Sequence, residues 1–315
     1  MFPSGLSPRE AGSSCTNRMV YSGSGTPLIS VLLPTRARPA LARRFLDSLC
    51  DMADEPARLE AILYTDDDDS SADEIGHPSL TIRRVIGPRV SMGAANTACL
   101  RQASGDILLL ANDDIVVRTR GWDSKVRACD ALNADGIYLA WPNDGFASHR
   151  ISTFPVLTRR TCELLSDPYP SVYRKAFIDT ELLDIFMRLE RLGWRRLNYL
   201  RDVVFEHHHH RLGKRAIDET SRAHLRFIDD GTFLARAPAR QRLAERLAAA
   251  CAHQQLSPAP APVSAVSMPR NPAAAIAHCA MSFLPDHGLT LRRRLYLFVW
   301  YCGRYLAARL LRAPI

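Results

Sequence analysis

No CxxC pair occurs among the eight cysteines, at positions 15, 50, 99, 129, 162, 251, 279 and 302, and several of them sit in apolar contexts. Scattered thiols of this kind are expected to stay reduced in a cytosolic protein. Also lacking is any run of the roughly 18 to 20 apolar residues that a bilayer-crossing helix needs. No basic start followed by an apolar stretch marks a secretory signal. The expectation is a cytoplasmic protein, at most peripheral to the inner face of a membrane. Carboxylates are outnumbered: 33 Asp and Glu face 41 Lys and Arg, giving a formal charge of +8 and a pI near 9.3.

With 47% hydrophobic and 23% charged residues over 315 positions, the chain can bury one sizeable core plus appendages, which excludes disorder throughout. A basic balance suits an anionic partner: a nucleotide diphosphate, a nucleic acid or a membrane surface. Much of the excess lies in an Arg-rich tail, whereas the central motifs are acidic, so no nucleic acid is expected. Composition divides the chain into a Ser/Gly/Pro-rich disordered leader at 1–26, a globular domain at 27–235, an Arg/Ala/Leu helix at 236–254, a Pro/Ala-rich linker at 255–275 and a basic amphipathic C-terminal helix at 276–315. Residues 291–311, basic and aromatic, read as an interfacial helix that meets a membrane surface, with packing onto the domain as the competing reading.

The chain is organised around residues 91–117, SMGAANTACLRQASGDILLLANDDIVV. A small-residue helix carries Ala94, Ala95, Thr97, Ala98 and Leu100, Ser104-Gly105 breaks it, and the apolar run 107–110 reads as a buried strand. That strand ends in Asn112-Asp113-Asp114. Adjacent carboxylates at the carboxyl end of a buried strand are costly unless they meet a cation, and an open parallel sheet binds its ligands at that end. Before it, strands are expected at 28–33, 59–65 and 80–86, with a helix at 40–52 opened by Pro39. After it come a helix at 122–132, strands at 136–141 and 154–157, a helix at 159–165, a helix from 177 to 192 and a closing strand at 194–200. Four consecutive carboxylates, Asp66 to Asp69, follow the second strand, and Glu206 with four histidines, His207 to His210, follow the last. In an extended segment His207 and His209 share one face and His208 and His210 the other.

Gly93, Asn96, Ala103-x-Gly105-Asp106 and Asn112-Asp113-Asp114, in this order around a helix and a strand, resemble family 2 glycosyltransferases of the GT-A type. The resemblance implies an α/β fold, an αβα sandwich with a mostly parallel central sheet, here followed by a helical C-terminal extension. It implies donor contacts from Thr35 and Arg36 after the first strand, and from Asp66 or Asp68, one of the four carboxylates, to the base. It also draws Gly93, Asn96, Asp113 and Lys214 into the donor site, Lys214 through a loop over the phosphates. Metal binding, by Mn or Mg, would rest on Asp114, because the first acidic position of the DXD-like motif is Asn112, with Asp113 nearer the ribose or behind the metal. His207 first, then His209, would complete the coordination. The catalytic base at the start of the helix after 166–175 would be Asp179, ahead of Glu181 and then Asp184, although an N-cap role suits Asp179 equally well.

The reaction so implied moves a sugar from a nucleotide diphosphate donor to a hydroxyl of a glycan or lipid-linked acceptor, with inversion. One rival is a sugar nucleotidyltransferase, which needs a Gly-rich loop after the first strand, where PTRARP has no glycine. The other is a non-catalytic sugar-nucleotide binding protein that kept the fold, a reading that Asn112 keeps open.

Overall fold

A computed structural model describes residues 25–208, 227–311 and 313–314. Among them, eight strands form one sheet in the order β3-β2-β1-β4-β7-β6-β8-β5. These are β1 (Ile29–Pro34), β2 (Leu59–Asp66), β3 (Thr81–Gly87), β4 (Ile107–Leu110), β5 (Ile115–Val117), β6 (Leu139–Asn143), β7 (Val156–Thr158) and β8 (Leu197–His207). Four strand pairings are parallel and three antiparallel. The helices are α1 (Pro39–Asp51), α2 (Met92–Gln102), α3 (Trp122–Leu132), α4 (Arg159–Leu165) and α5 (Ile178–Arg191). In the C-terminal part they are α6 (Asp230–Ala235), α7 (Ala237–Cys251), α8 (Pro272–Phe283) and α9 (Leu291–Leu310).

Both faces of the central strands are covered, which is why they read as unbroken apolar runs. Val31 and Leu33 face a core built with Phe45, Leu46 and Leu49 of α1 and Trp122 of α3, while Leu32 faces Ala95 and Cys99 of α2. The same alternation at Ile107, Leu108 and Leu109 makes the expected αβα sandwich. Tyr169 and Tyr173, in the loop before α5, are fully buried. β3 is an edge strand and carries Arg83 and Arg84, charges that discourage pairing with another chain.

Two boundaries differ in an informative way. The strand expected at 136–141 starts at Leu139, because Gly136 (φ +65°) closes a turn back onto the Asn133 carbonyl at 2.8 Å. The closing strand runs on to His207, so the Phe-Glu-His stretch is its end and not a separate loop. The C-terminal segment 276–315 is not one helix. A break at Pro285-Asp286-His287-Gly288 separates α8 from α9, and the Thr290 hydroxyl caps α9 by accepting from Arg293 N at 3.3 Å.

Strand order reverses direction between β1 and β4, so the crevice outside their carboxyl ends is the natural ligand site of such a sheet. Ala103-x-Gly105-Asp106 lies at the opposite end. There Gly105 N donates to Ser30 Oγ at 2.7 Å and Ser30 Oγ donates to Glu60 at 2.6 Å. A Cβ on Gly105 would sit 2.6 Å from the Leu28 carbonyl, so glycine is required there for strand packing.

Candidate active site

Thr35, directly after β1, donates from Oγ1 to Asp113 Oδ2 at 2.9 Å, and Arg38 Nη1 lies 3.1 Å from Asp113 Oδ1. Asp113 is buried, and burial foremost, with Asp114 beside it, pushes its carboxyl up to about 6 against the pull of Arg38 and Thr35. Asp114 faces elsewhere. β5, which starts one residue later, pairs antiparallel with β8 so that Ile115 stands opposite His207. This register sets His207 Nε2 3.2 Å from Asp114 Oδ1, while His208 N donates to the Asp114 carbonyl at 2.7 Å. The ring of His207 rests edge-on against Phe154, with centroids 5.1 Å apart. The two carboxylates are thus separated in role, one held by Thr35 and Arg38 and the other turned to a histidine.

Arg36 bridges the acidic loop: its Nη1 meets Asp66 at 2.7 Å, and its two terminal nitrogens grip both oxygens of Asp68, Nη2 at 2.9 Å. Asp69 accepts from Ala37 N at 2.6 Å and from Ser71. Where one of the four carboxylates was expected to matter, three have specific partners. Ala37, whose N–H reaches Asp69, takes a left-handed turn (φ +52°) directly after Arg36.

Asp179 is not the N-cap of α5. That position belongs to Phe177, held at φ +76° by packing against Phe233 (5.0 Å) and Tyr301 (5.8 Å). A non-glycine residue kept in this region costs about 1–3 kcal/mol and persists only where its surroundings impose it. Asp179, half-buried in the first turn, accepts from Thr180 N at 2.7 Å. Burial first, then the nearby Asp144, push its carboxyl above the usual range, with the Thr180 bonds opposing. Asp144 itself caps the turn after β6, accepting from Phe146, Ala147 and Ser148 N at 2.8–3.0 Å.

Glu181 sits 1% exposed with both oxygens engaged: Arg236 at 2.6 Å on one, Tyr173 and Arg240 on the other. Asp184 is likewise bonded to Arg188 at 2.6 Å and to Arg240 at 2.8 Å. Both belong to an ionic cluster between α5 and α7. Gly93 faces the 169–170 loop, where a Cβ would lie 2.2 Å from the Pro170 carbonyl. Asn96 is 1% exposed and donates to the Met92 carbonyl of its own helix at 2.9 Å. His209 and Lys214 lie outside the described residues.

Sequence reasoning missed several groups. Arg38 stood in the PTRARP string but was passed over for Arg36. Lys175 and Arg89 join it electrostatically: burial first, then these two arginines, lower the Lys175 ammonium, with Asp66 opposing. Asp229 receives N–H bonds from Arg174, Lys175 and Ala176 at 2.9–3.1 Å and so fixes the loop that carries Lys175. No local pattern announces such a cap, because its partners lie on a distant segment.

The donors available for a cation are an oxygen of Asp114, a hard carboxylate of the kind that suits Mn or Mg, and Nε2 of His207, an imidazole that favours a transition metal. Among the described residues no group of three or more His, Cys, Asp or Glu gathers as a metal cage. Two protein ligands with the remaining positions left to phosphate and water are nevertheless a usual way of holding Mg.

No family model matches the chain, and no curated protein matches it. Similar solved structures include a mannosyltransferase from Pyrobaculum calidifontis in complex with GDP-Man and Mn2+, 17% identical with a TM-score of 0.46 over 90% of this chain and 76% of that one. Glucosyl-3-phosphoglycerate synthase from Mycobacterium tuberculosis in complex with Mn2+ and UDP-Glc is 20% identical, with a TM-score of 0.46 over 67% of this chain and 79% of that one. S. aureus TarS 1–349 is 14% identical, with a TM-score of 0.41 over 56% of this chain and 59% of that one. At these identities the likeness is one of backbone arrangement.

Proposed function

We propose that the protein is a metal-dependent, inverting glycosyltransferase that moves a sugar from a nucleotide diphosphate donor to a hydroxyl of a glycan or lipid-linked acceptor on the cytoplasmic side of a membrane. The observation that carries this reading is the meeting of Asp114 and His207 at the carboxyl edge of the sheet, 3.2 Å apart and beside the Asp113, Thr35 and Arg38 cluster. Asp114 and His207 would hold a divalent cation, which when bound neutralises charge on the leaving diphosphate. Arg38, Arg89 and Lys175 supply further positive charge to the same crevice. Arg36 with Asp66 and Asp68 forms the wall for the nucleoside, and Lys214 and His209 remain candidates for the phosphates and the metal.

Asp179 is the base. The acceptor oxygen attacks the anomeric carbon, its proton passes to the Asp179 carboxylate, and the bond to the diphosphate breaks with its electron pair leaving on the diphosphate. A raised carboxyl is a stronger base than an ordinary one, which favours this role. Glu181 is the weaker candidate, since arginines and a tyrosine already occupy both of its oxygens.

Release of nucleoside diphosphate and sugar transfer from a panel of UDP- and GDP-sugars, with Mn2+, tests the reading. Turnover that Asp114→Ala and Asp179→Asn abolish supports it. Binding without turnover of any donor would favour a non-catalytic sugar-nucleotide protein.

A further inference from the structure

Among the described residues, the two C-terminal helices bury one face and leave the other exposed. On α9, Leu297, Tyr301, Tyr305 and Ala308 are buried, and Tyr301 stacks on Phe177, two residues before Asp179. On the opposite side Leu295, Val299, Leu306 and Leu310 are exposed at helical spacing, Val299 at 66% and Leu310 at 85%. The neighbouring α8 and its C-cap add Ile276, Met281 and Leu284, and the Arg294 guanidinium ties the two helices by donating to the Leu284 carbonyl at 2.7 Å. Exposed apolar residues in one contiguous stripe mark an interaction surface for a partner.

Charge says which one. Beyond residue 251 the only carboxylate side chain is Asp286, against seven arginines. Asp286 is taken up by Arg188 at 2.5 Å. Arg304 is turned inward to Asp230 at 2.6 Å, whereas Arg270, Arg292 and Arg309 are exposed. Arg270 and Arg309 also line a cleft of about 630 Å3 between the 267–270 segment and the end of α9, close to the exposed Leu310. A stripe of leucine and valine flanked by arginines, with a basic cleft at headgroup size beside it, matches an interfacial helix on anionic lipid. No helix among the described residues is long and apolar enough to cross a membrane.

We propose that the outer face of α8 and α9 docks on an anionic bilayer, Leu295, Val299, Leu306 and Leu310 entering the acyl boundary and Arg270 and Arg309 receiving a phosphodiester headgroup. This deepens the lipid-linked acceptor reading above, because the same α9 packs by its inner face on Phe177 at the start of the Asp179 helix. Its test reads binding and not turnover, so the two can fail separately.

The experiment is co-sedimentation of the full chain with vesicles of phosphatidylcholine alone or mixed with phosphatidylglycerol, at low and high salt. Wild type should bind the mixed vesicles and release in salt. Val299→Asp with Leu310→Asp should lose binding while keeping the wild-type melting temperature, since both side chains face solvent. Arg270→Gln, Arg292→Gln and Arg309→Gln together should lower the partition on the order of 100-fold, at about fivefold for each arginine near the surface. Binding that the aspartate pair leaves intact would overturn the proposal. So would equal binding to both vesicles, no binding to either, or self-association through this face without lipid that Val299→Asp disperses.

Discussion

Oδ1 of Asp114 and Nε2 of His207 lie 3.2 Å apart although the two residues are far apart in the sequence. Antiparallel pairing of β5 with β8 brings them together, so a strand of only three residues determines the geometry. Replacing His207 with alanine should leave the fold intact and lower kcat/KM on the order of 100-fold or more, because several kcal/mol of charge stabilisation depend on the cation being held. Raising Mn2+ should restore part of the loss, as measured by turnover against metal concentration.

Asp179 carries the pH prediction. Burial raises its carboxyl above the usual range, and a base must be ionised, so activity should fall as pH drops through that raised value, at higher pH than an ordinary aspartate would give. Asp179→Asn should remove about 10²–10⁴-fold in kcat with little change in Km for the donor. A pH–rate profile whose acid limb sits in the ordinary aspartate range, near 3.9, would count against the assignment.

Glu181 and Asp184 should behave as structural groups. Both are buried and paired to Arg236, Arg240 and Arg188, and removing one partner of a buried pair leaves an uncompensated charge at a cost of about 3–5 kcal/mol. Glu181→Gln should therefore lower the melting temperature far more than Asp179→Asn does. Burial alone would raise the Asp184 carboxyl, but Arg240 and Arg188 outweigh it and hold it low. A depressed carboxyl contributes stability above its unfolded pKa of about 3.9, and that stability is lost as pH falls through the folded value. Thermal melts of wild type against Asp184→Asn should thus converge in acid.

Gly93→Ala sets two effects against each other. In an ordinary helix the change favours the helix by about 1 kcal/mol. Here the new methyl carbon would meet the Pro170 carbonyl at 2.2 Å, and backbone cannot yield as a side chain can. Destabilisation is expected, with the 169–175 loop displaced and donor affinity reduced through Lys175. Denaturant unfolding and nucleotide binding check both.

Much of the fold was legible because apolar runs covered on both faces announce themselves: helix 122–132, helix 159–165 and strand 107–110 fall where the sequence puts them. Thr35 and Arg36 follow the end of β1, and Asp113 and Asp114 follow the end of β4, as the sequence puts them; their contacts to a donor and a metal belong to the proposal above. What stayed hidden depends on long-range pairing. Nothing local to Glu181 announces Arg236 and Arg240, and nothing at 174–176 announces the Asp229 cap. Gly93 and Asn96 matched a motif, and in the structure Gly93 lies against the 169–170 loop while Asn96 is buried and bonded to the Met92 carbonyl of its own helix. The split of the C-terminal segment into α8 and α9 follows from the Pro285 to Gly288 break, which the overall basic, apolar composition masked.

The most direct test is calorimetric titration of UDP and GDP into the purified protein with and without Mn2+. Metal-dependent binding of one of them, lost in Asp114→Ala and retained in Asp179→Asn, is the predicted result. Absence of binding to either nucleotide in a folded sample, or binding that neither Mn2+ nor Asp114→Ala alters, would contradict the account.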